Sequence, residues 1–398
     1  MKENKTKPDI RFKGFTEAWE QRKLIDLCDY VDYRGKTPNK SDSGIFLVTA
    51  KNVKDGYIDY DVSKEYIPED KYEEVMRRGK PKIGDVLITT EAPCGNVAQV
   101  NKPNIALAQR IIKYRGHNQV IDNTYLKYYL LSPFFQNILN MKSSGGTVQG
   151  IKGSVLHQQK ISFTKYTEQL KIGQCLDSLD SLITLHQREC DQLKELKKSM
   201  LKKMFPRDES SIPEVRFAGF TDAWEQRKLG DVTQIIMGQS PDGSTYSEKP
   251  KDYILVQGNS DIKDGWVEPR LWTTQMTKKA DVGDLIMSVR APAGSMGKTA
   301  YNVVIGRGVA AIKGNEFIFQ SLIKKDIEGF WKKITTGSTF ESLNSNDIKN
   351  SNLLVPVNEE QIKIGQYFSQ LDNLITLHQR ELEILKNLKK TCLKRMFI

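Results

Sequence analysis

Residues 11–24 read RFKGFTEAWEQRKL, and almost the same stretch, RFAGFTDAWEQRKL, recurs 205 residues later at positions 216–229. A second stretch, LITLHQRE at residues 182–189, is repeated without change at residues 374–381. Two matches of this length in the same order do not arise by chance. The chain therefore contains one unit of roughly 200 residues twice in tandem.

The LITLHQRE stretches lie in two long segments with heptad spacing. No proline interrupts residues 169–204, and apolar residues recur there at alternating spacings of four and three, as they do in the second copy. The two seams consist of Ile172, Leu176, Leu179, Ile183, His186, Cys190, Leu193, Lys197, Met200 and Met204, and of Ile364, Phe368, Leu371, Ile375, His378, Leu382, Leu385, Lys389, Cys392 and Met396. Such spacing indicates a coiled coil, in which each helix of about 36 residues spans about 54 Å.

Each long helix needs a partner, because helices gain most of their stability by packing an apolar face. The simplest partner is the helix of the other copy, which predicts an antiparallel two-helix spacer of fixed length. The alternative is that each helix packs on its own domain. His186 and His378 fall in the seams, so we interpret them as packed residues and not as ligands or catalysts.

Between the repeated ends, the copies keep a common frame but change their polar residues. A polar turn at residues 54–56 corresponds to one at residues 263–265, and a Gly-Asp turn leads into a buried strand at residues 84–88 and again at 283–287. Ala-Pro follows each strand, and one amphipathic helix is expected around residues 125–141 and one around 319–334. Since loops carry recognition while the scaffold carries stability, the two domains should bind two different things.

The composition indicates a basic protein without a membrane span. The 398 residues carry a formal charge of +11, and the mean hydropathy is −0.50. No segment reaches the roughly 18 apolar residues of a membrane helix, and the polar N-terminus predicts a cytoplasmic protein. The charge favours a polyanionic partner such as nucleic acid. Five scattered cysteines and four histidines predict neither a disulfide framework nor a zinc site.

One stretch imitates a phosphate-binding loop. Residues 292–299 read PAGSMGKT and differ from G-x-x-x-x-G-K-[ST] because proline replaces the first glycine. Proline removes a backbone N–H that a phosphate cradle could use, and the corresponding stretch of the first copy, PCGNVAQ at residues 93–99, has no Gly-Lys-Thr. We interpret this match as a coincidence of loop sequence.

Other catalytic signatures are missing. The sequence has no Asn/Asp-Pro-Pro-aromatic tetrad, no dinucleotide-binding glycine pattern, no metal-spaced cluster and no nucleophile elbow. A nuclease site built from acidic residues scattered along the sequence is not excluded. A catalytic set shared by both copies would have been repeated, however, so the sequence predicts a binding protein that has no cofactor and no metal of its own.

Two divergent domains, each followed by a near-identical long helix on a basic chain, resemble the specificity subunit of type I restriction-modification systems. The resemblance covers nearly the whole chain and depends most on the segments around Trp19 and Trp224, the Leu-His-Gln-Arg-Glu helices and the Gly-Asp strands before Ala-Pro. It implies that two target recognition domains each bind one half of a split, asymmetric double-stranded DNA sequence. The helices would then set the gap between the halves.

The same resemblance implies partner proteins that supply the chemistry. Two methyltransferase (modification) subunits would bind S-adenosylmethionine and methylate adenine, and two restriction (motor-nuclease) subunits would use ATP and magnesium. Two alternatives stay open: a self-contained DNA-acting enzyme, either a nuclease or a nucleotide-using protein, and the specificity subunit of a related system outside type I. A decoy that mimics DNA would be acidic, so the charge of +11 argues against it.

The predicted architecture is α+β, with two tandem mixed recognition domains separated by two long helices that form an antiparallel, approximately twofold-symmetric coiled coil. The expected boundaries are residues 1–165 for the first recognition domain, 166–212 for the central helix, 213–355 for the second recognition domain and 356–398 for the C-terminal helix.

Candidate DNA-contacting residues lie in loops and carry side chains that match base edges or phosphates. In the first domain they are Arg34, Lys36, Thr37, Lys51, Asn52, Thr89, Thr90, Glu91, Thr147, Gln149 and Lys152. In the second they are Gln239, Ser240, Gln257, Asn259, Ser288, Arg290, Ser338, Thr339 and Ser342. The glycine-containing turns at residues 145–147 and 337–339 are the best supported, because glycine permits close backbone approach and both copies place them alike.

Overall fold

The computed structural model describes residues 6–33, 35, 38–144, 149–207, 210–335 and 342–398. The chain divides into two compact units. Unit 1 comprises Met1–His186 together with Glu381–Ile398, and unit 2 comprises Gln187–Arg380.

The described residues of unit 1 form nine short strands and five short helices in addition to their share of the long helices. The strands are β1 Glu20–Lys23, β2 Cys28–Asp32, β3 Ile45–Val48, β4 Tyr66–Ile67, β5 Val86–Thr90, β6 Cys94–Gln99, β7 Ala106–Leu107, β8 Ile111–Gly116 and β9 Lys160–Phe163. The helices are α1 Leu24–Leu27, α2 Tyr72–Val75, α3 Asn123–Leu131, α4 Pro133–Lys142 and α5 Gly153–His157, and a 3-10 turn covers Glu69–Lys71.

The central sheet of unit 1 has the order β2-β8-β5-β6 and is antiparallel throughout. All five residues of β5 are buried, because both faces of this strand carry a core. Val86 and Ile88 point to the core that includes α3 and α4, whereas Leu87 points to the core beneath β3 and β7. That alternation follows from the two-residue period of a strand. A smaller sheet has the order β4-β3-β7, with β3 and β7 parallel.

Unit 2 repeats this plan with more strands. They are β10 Glu225–Lys228, β11 Gln234–Met237, β12 Tyr246–Ser247, β13 Tyr253–Val256, β14 Ile262–Lys263, β15 Trp266–Val267, β16 Trp272–Thr273, β17 Lys279–Ala280, β18 Leu285–Ser288, β19 Met296–Lys298, β20 Val303–Ile305, β21 Val309–Lys313 and β22 Asn352–Val355. Its short helices are α7 Leu229–Val232, α8 Glu316–Ile327, α9 Phe330–Thr335 and α10 Ser345–Lys349, with 3-10 turns at Gly243–Thr245 and Asn259–Asp261.

The sheets of unit 2 correspond to those of unit 1. A six-stranded sheet has the order β11-β21-β18-β19-β15-β14, and a five-stranded sheet, β12-β16-β13-β20-β17, pairs β13 with β20 in parallel. As in β5, the residues of β18 alternate between two cores: Leu285 and Met287 face one, and Ile286 faces the other. In both units the Gly-Asp turn therefore leads into the central buried strand, as the sequence predicted, and the α+β class is confirmed.

The two long helices are α6, Tyr166–Lys203, and α11, Asn358–Arg395, of 38 residues each. In unit 1 the first half of α6 runs antiparallel to the end of α11, since Asp180 pairs with Lys389 and His186 Nδ1 lies 3.2 Å from Glu381. Unit 2 repeats these pairs at corresponding positions, where Lys197 Nζ lies 2.6 Å from Asp372 and His378 Nδ1 lies 3.3 Å from Glu189.

A buried ion pair ties the start of each copy to its long helix. Arg11 donates two hydrogen bonds to Glu168, at 2.6 and 2.8 Å, and Arg216 donates two to Glu360, at 2.7 and 2.8 Å. Both carboxylates are fully buried. Hydrogen bonding to Glu168 and Glu360 raises the pKa of Arg11 and of Arg216, respectively. These pairs explain why the Arg-Phe-x-Gly-Phe stretch recurs in both copies.

The tryptophans of the repeated segments are packing residues, as predicted. Trp19 and Trp224 are 6% and 3% exposed. In unit 1 the ring of Trp19 packs edge-on against Tyr125 and against Phe397, near the end of α11. In unit 2 Trp224 packs against Phe205, the residue that corresponds to Phe397 and follows the end of α6.

The single amphipathic helix predicted for each copy is a pair of helices. In unit 1 the break falls at Ser132, whose hydroxyl caps α4, and Pro133 then occupies the first turn of α4, where its missing N–H costs nothing. In unit 2 α8 ends before Gly329, which has a φ of +70° that favours glycine. Within the residues described above, no helix combines the length and the apolar character needed to cross a bilayer.

Candidate nucleic-acid interface

Three segments of unit 1 meet where the central strand β5 ends. The backbone N–H of Thr90 donates to Arg110 O, and Thr90 O accepts from Ile151 N, both at 2.9 Å. Glu91 pairs with Gly150 in an isolated bridge. The end of β5, the connector before β8 and the segment after the glycine-rich turn therefore form one loop face. It carries the predicted residues Thr90, Glu91, Gln149 and Lys152.

Unit 2 assembles the corresponding face from the corresponding segments. Val289 N donates to Gly308 O, and Leu343 N donates to Val289 O, both at 2.9 Å. Arg290 pairs with Ser342 in an isolated bridge. The predicted residues Arg290 and Ser342 therefore lie together, next to the buried Ser288.

The early loops of unit 2 join the same face. Gln239 N donates to Ile305 O at 2.8 Å, and Ser240 Oγ accepts from Arg307 N at 3.1 Å. Gln257 and Ser240 both border Gly306. Asn259 opens the 3-10 turn that follows Gln257. Gln239, Ser240 and Gln257 thus lie beside the connector of residues 306–308.

Several predicted DNA-contacting residues are buried and hold the loops in shape. Asn52 is fully buried: its Oδ1 accepts from the N–H and the hydroxyl of Thr49 at 2.8 and 2.7 Å, and its Nδ2 donates to two backbone carbonyls. Thr89 Oγ1 accepts from Asn96 N at 3.0 Å, and Ser288 Oγ donates to Arg290 O at 2.9 Å. Through these hydrogen bonds Asn52, Thr89 and Ser288 fix the shape of the turns. Contact of these three residues with DNA bases remains a prediction.

The exposed members of the predicted set are better placed for an external ligand. The exposed residues are Lys51, within the turn that Asn52 closes, and Gln149, Lys152, Arg290 and Ser342 on the loop faces. The remaining predicted residues lie outside the described part of the chain. These are Arg34, Lys36, Thr37, Thr147, Ser338 and Thr339.

Two connectors that were not among the predicted DNA-contacting segments organise these faces. Residues 108–110 of unit 1 and 306–308 of unit 2 contribute Gln109, Arg110 and Arg307, of which Arg110 and Arg307 are exposed. A signal was present in the second copy, where Arg307 stands between two glycines immediately before a buried strand. The first copy has no glycine at these positions, so the comparison of the two sequences did not reveal the correspondence.

The charges of the two faces differ. In unit 1 Arg110 Nε lies 3.4 Å from Glu91 Oε2, and both side chains are about half exposed. In unit 2 the guanidinium groups of Arg290 and Arg307 have no ion-pair partner among the described residues. Among the described residues, unit 2 therefore offers two arginines without an ion-pair partner, whereas unit 1 offers an acid and a base that neutralise each other.

The Gly-Asp turns below these faces are structural. In unit 1 Asp85 accepts two hydrogen bonds from Arg115, both at 2.7 Å, and a third from Lys82 N at 2.8 Å. Burial lowers the pKa of the adjacent Lys113, whose Nζ lies 3.6 Å from Asp85. In unit 2 Asp284 likewise accepts from the N–H three residues before it. The aspartate thus fixes the turn that leads into the central strand.

The segment of residues 292–299, whose sequence is similar to a phosphate-binding loop, belongs to a β-hairpin. Residues 296–298 form β19, which pairs antiparallel with β18, so no helix follows to orient the loop toward a phosphate. Lys298 Nζ lies 2.9 Å from Glu316 and 4.7 Å from the ring centre of Phe319. Thr299 is buried and donates to Tyr301 O. The lysine and threonine of the motif are therefore engaged within the protein.

Gly294, in the turn of this hairpin, is expected to tolerate no side chain. Its φ is +101°, and a Cβ would lie 2.4 Å from Cδ1 of the fully buried Trp331. Gly294→Ala should therefore lower the free energy of unfolding of unit 2 by about 2–5 kcal/mol, the combined cost of overpacking and backbone strain. Urea denaturation followed by tryptophan fluorescence measures the loss.

Gly283→Ala is the matched control, because its φ of +91° is similar but no atom lies within 4 Å of the added methyl group. Its loss of unfolding free energy should come from backbone strain alone. Equal losses for the two variants would show that Trp331 moves to make room for the methyl group, which would contradict rigid packing of Trp331 against this turn.

Comparison with known proteins agrees with the two-unit plan. A family model for the type I restriction modification DNA specificity domain matches residues 16–195 and 221–387. The putative type I restriction enzyme MjaX specificity subunit of Methanocaldococcus jannaschii is 29% identical over 395 residues, covering 94% of this chain and 91% of the relative. The MjaVIII specificity subunit of the same organism is 21% identical with the same coverage.

Solved structures share the fold. The S subunit of a type I restriction-modification system from M. genitalium matches with a TM-score of 0.70 at 16% identity, covering 98% of this chain and 99% of that one. A chain from a study of complex assembly and conformational transition of the type I R-M system matches with a TM-score of 0.54 at 22% identity, covering 94% and 96%. Since the family model covers most of the sequence in two copies, the chain belongs to the family of type I restriction-modification DNA specificity subunits.

Proposed function

We propose that this chain recognises a split double-stranded DNA sequence, with each unit contacting one half. The observation that carries this proposal is the pair of corresponding loop faces. Both units build a face from the same three segments with the same backbone hydrogen bonds. A formal charge of +11 supports a polyanionic partner. The proposed recognition domains are residues 1–165 and 213–355, and the proposed spacer segments are 166–212 and 356–398.

The two half-sites should be different sequences. At corresponding positions unit 1 has Glu91 and Arg110 where unit 2 has Arg290 and Gly308. Carboxylates accept from cytosine, whereas arginine donates to guanine. Faces that share a backbone frame but differ in these side chains favour an asymmetric target.

Membership of the family implies a complex with other subunits of the system, and the long helices carry surfaces suited to it. Leucines at corresponding positions of α6 and α11 are 40–50% exposed; they are Leu182, Leu185 and Leu196, and Leu374, Leu377 and Leu388. Apolar residues at such helical spacing favour docking against partner helices. We propose that two methyltransferase subunits bind here, and that two restriction subunits complete the assembly.

The chemistry of this proposed assembly belongs to the partners. The methyltransferase subunits would bind S-adenosylmethionine and methylate adenine, and the restriction subunits would use ATP and magnesium to cut foreign DNA in the cytoplasm. Family membership decides against a self-contained DNA-acting enzyme, because the chain is a specificity subunit and not a catalytic one. A related system with other catalytic partners is a further outcome of the test below.

The proposal predicts a single split methylation motif. The chain is co-expressed with a candidate adenine methyltransferase subunit, and methylated adenines are mapped across a genome by single-molecule sequencing. We expect two unlike half-sites at a fixed distance. Replacement of residues 213–355 with the corresponding domain of another family member should change one half-site and leave the other and the gap unchanged.

The matched control replaces residues 1–165 and should change only the other half-site. Methylation that lacks a split motif, or a domain replacement that alters both halves at once, would contradict the assignment of one half-site to each unit. Activity that needs a different type of catalytic subunit would instead favour the related system.

A further inference from the structure

The connectors of the two loop faces occupy the same place in the fold. Residues 108–110 join β7 to β8, and residues 306–308 join β20 to β21. Each begins with an N–H that donates to the parallel neighbour, Ala108 to Val48 O at 2.9 Å and Gly306 to Val256 O at 2.8 Å. Each ends with a carbonyl that accepts from the end of the central strand. Gln109 and Arg307 are therefore the equivalent middle residues.

We propose that this middle position determines one base of each half-site, so that Arg307 contacts a guanine and Gln109 contacts an adenine. The inference rests on the proposed function, DNA recognition by both units. Arginine donates two parallel hydrogen bonds to O6 and N7 of guanine, and glutamine pairs in the same two-point manner with N6 and N7 of adenine. The exchange of one for the other at an equivalent position is the change expected between two unlike half-sites.

The backbone around Arg307 is held firmly, and its side chain is exposed. Its N–H donates to Ser240 Oγ at 3.1 Å. A Cβ on Gly308 would lie 2.0 Å from Gln257 O, so glycine is required there by close packing. The guanidinium is exposed and has no ion-pair partner among the residues that the structure describes. A side chain with no partner on a rigid loop is preorganised for an external one.

The neighbours of the two positions strengthen the contrast. Arg307 shares its face with Arg290, since Val289 N donates to Gly308 O. In unit 1 the corresponding acid, Glu91, instead lies 3.4 Å from Arg110. The cation next to Gln109 is therefore engaged by an acid, whereas Arg290 and Arg307 have no ion-pair partner within the described part of unit 2. Unit 2 should accordingly favour the half-site that is richer in guanine.

The test uses the complex of the full chain with its modification subunit and a library of duplexes randomised in both half-sites. Arg307→Gln should lower the preference for guanine at one position of one half-site by roughly 5- to 150-fold and favour adenine there. Gln109→Arg should make the opposite change at one position of the other half-site. Arg307→Lys should also lose discrimination, because lysine keeps the charge but not the two-point geometry.

Arg227→Gln is the matched control. Arg227 is an exposed arginine on β10 of the same unit, away from the connector, and its loss should leave the motif unchanged. A uniform loss of methylation on all sequences with Arg307→Gln, accompanied by a salt dependence reduced by about one phosphate contact, would overturn the inference in favour of phosphate binding. An unchanged motif would overturn it as well.

The methylation pattern of the wild-type complex distinguishes failure of the connector assignment from failure of the proposed DNA recognition. If it methylates a split motif and the two connector variants do not alter single positions, the connector assignment fails while DNA recognition by the units stands. If the wild-type complex shows no split motif, the proposed function fails and the connector assignment fails with it. Unchanged melting temperatures of Arg307→Gln and Gln109→Arg would establish that the variants are folded.

Discussion

Phe397→Ala is expected to destabilise unit 1 by about 3–5 kcal/mol, although the residue lies next to the end of the chain. Phe397 is 4% exposed. Its ring centre lies 5.6 Å from that of Tyr125, 5.8 Å from that of Tyr129 and 6.4 Å from that of Trp19. Removing the ring leaves a cavity among aromatic side chains that cannot collapse without moving α3. The C-terminal residues therefore complete the core of the first recognition unit.

The matched variant is Phe205→Ala, which should have the same effect on unit 2. Phe205 stacks on Phe317 at 5.4 Å and packs against Trp224 and Phe368 at 5.8 and 5.9 Å. Hydrogen exchange read by mass spectrometry in urea locates the destabilised unit. We expect faster exchange in the peptides of unit 1 for one variant and in those of unit 2 for the other.

Tyr57→Ala provides the surface control, because Tyr57 is 57% exposed and its loss should cost no more than about 0.5 kcal/mol. If Phe397→Ala altered exchange in unit 2 and spared unit 1, the assignment of Glu381–Ile398 to unit 1 would be wrong. If the loss were no larger than that of the control, the aromatic core around α3 would have to repack freely.

The repeat made much of this architecture predictable. The corresponding ends of the two copies fixed the frame, and the heptad seams predicted the long helices to within three residues at their starts. The antiparallel pairing of helix halves follows the same logic, since Asp180 with Lys389 and Asp372 with Lys197 are one pair used twice. A pattern that recurs at corresponding positions of both copies is supported twice, so it is more reliable than a motif that occurs once.

Burial of polar loop residues was not predictable in the same way. Asn52 has a side chain that can bind adenine, and it follows a strand as a DNA-contacting residue would. In the structure it is fully buried because it closes a turn, a task that Asp261 performs in unit 2 by accepting from Gln257 N at 2.7 Å. Amides and carboxylates suit both tasks, so residue type alone does not separate them.

The equivalence of the two connectors was not predictable from the sequence either, for a different reason. Gln109 and Arg307 are equivalent because their connectors make the same backbone hydrogen bonds, and not because the surrounding sequences are similar. Glycine flanks one and not the other: a Cβ on Gly308 would lie 2.0 Å from Gln257 O, whereas the corresponding Arg110 has a positive φ of +73° that Gly308 does not share. Backbone hydrogen bonds that two different residues can make leave no common signal in the sequence, and only the fold makes the positions equivalent.

Arg11→Ala is expected to destabilise unit 1 by about 3–5 kcal/mol, because it leaves the buried Glu168 without its cation. Glu168 is fully buried and accepts both guanidinium hydrogen bonds as well as one from Thr164. A carboxylate without that partner must either remain charged in a poorly solvated site or take up a proton. Urea denaturation at neutral pH measures the loss, and Arg216→Ala should produce the same loss in unit 2.

Arg22→Ala is the matched control, since Arg22 and Glu20 form an exposed ion pair at 2.8 Å. Exposed pairs contribute about 1 kcal/mol or less. Arg11→Ala should therefore exceed the control several-fold and should respond little to added salt, because a buried pair is screened less than an exposed one. Equal losses would mean that water reaches Glu168 once the arginine is removed.

The double variant Arg11→Met with Glu168→Met separates the energy of the pair from the penalty of breaking it. Two apolar side chains of similar length remove the desolvation cost of both charges. We expect the double variant to be more stable than Arg11→Ala, with the Thr164 hydroxyl losing one acceptor as the remaining cost. If the double variant is as unstable as the single one, the pair contributes through its two-point geometry, which fixes the start of unit 1 against α6, and not through charge compensation alone.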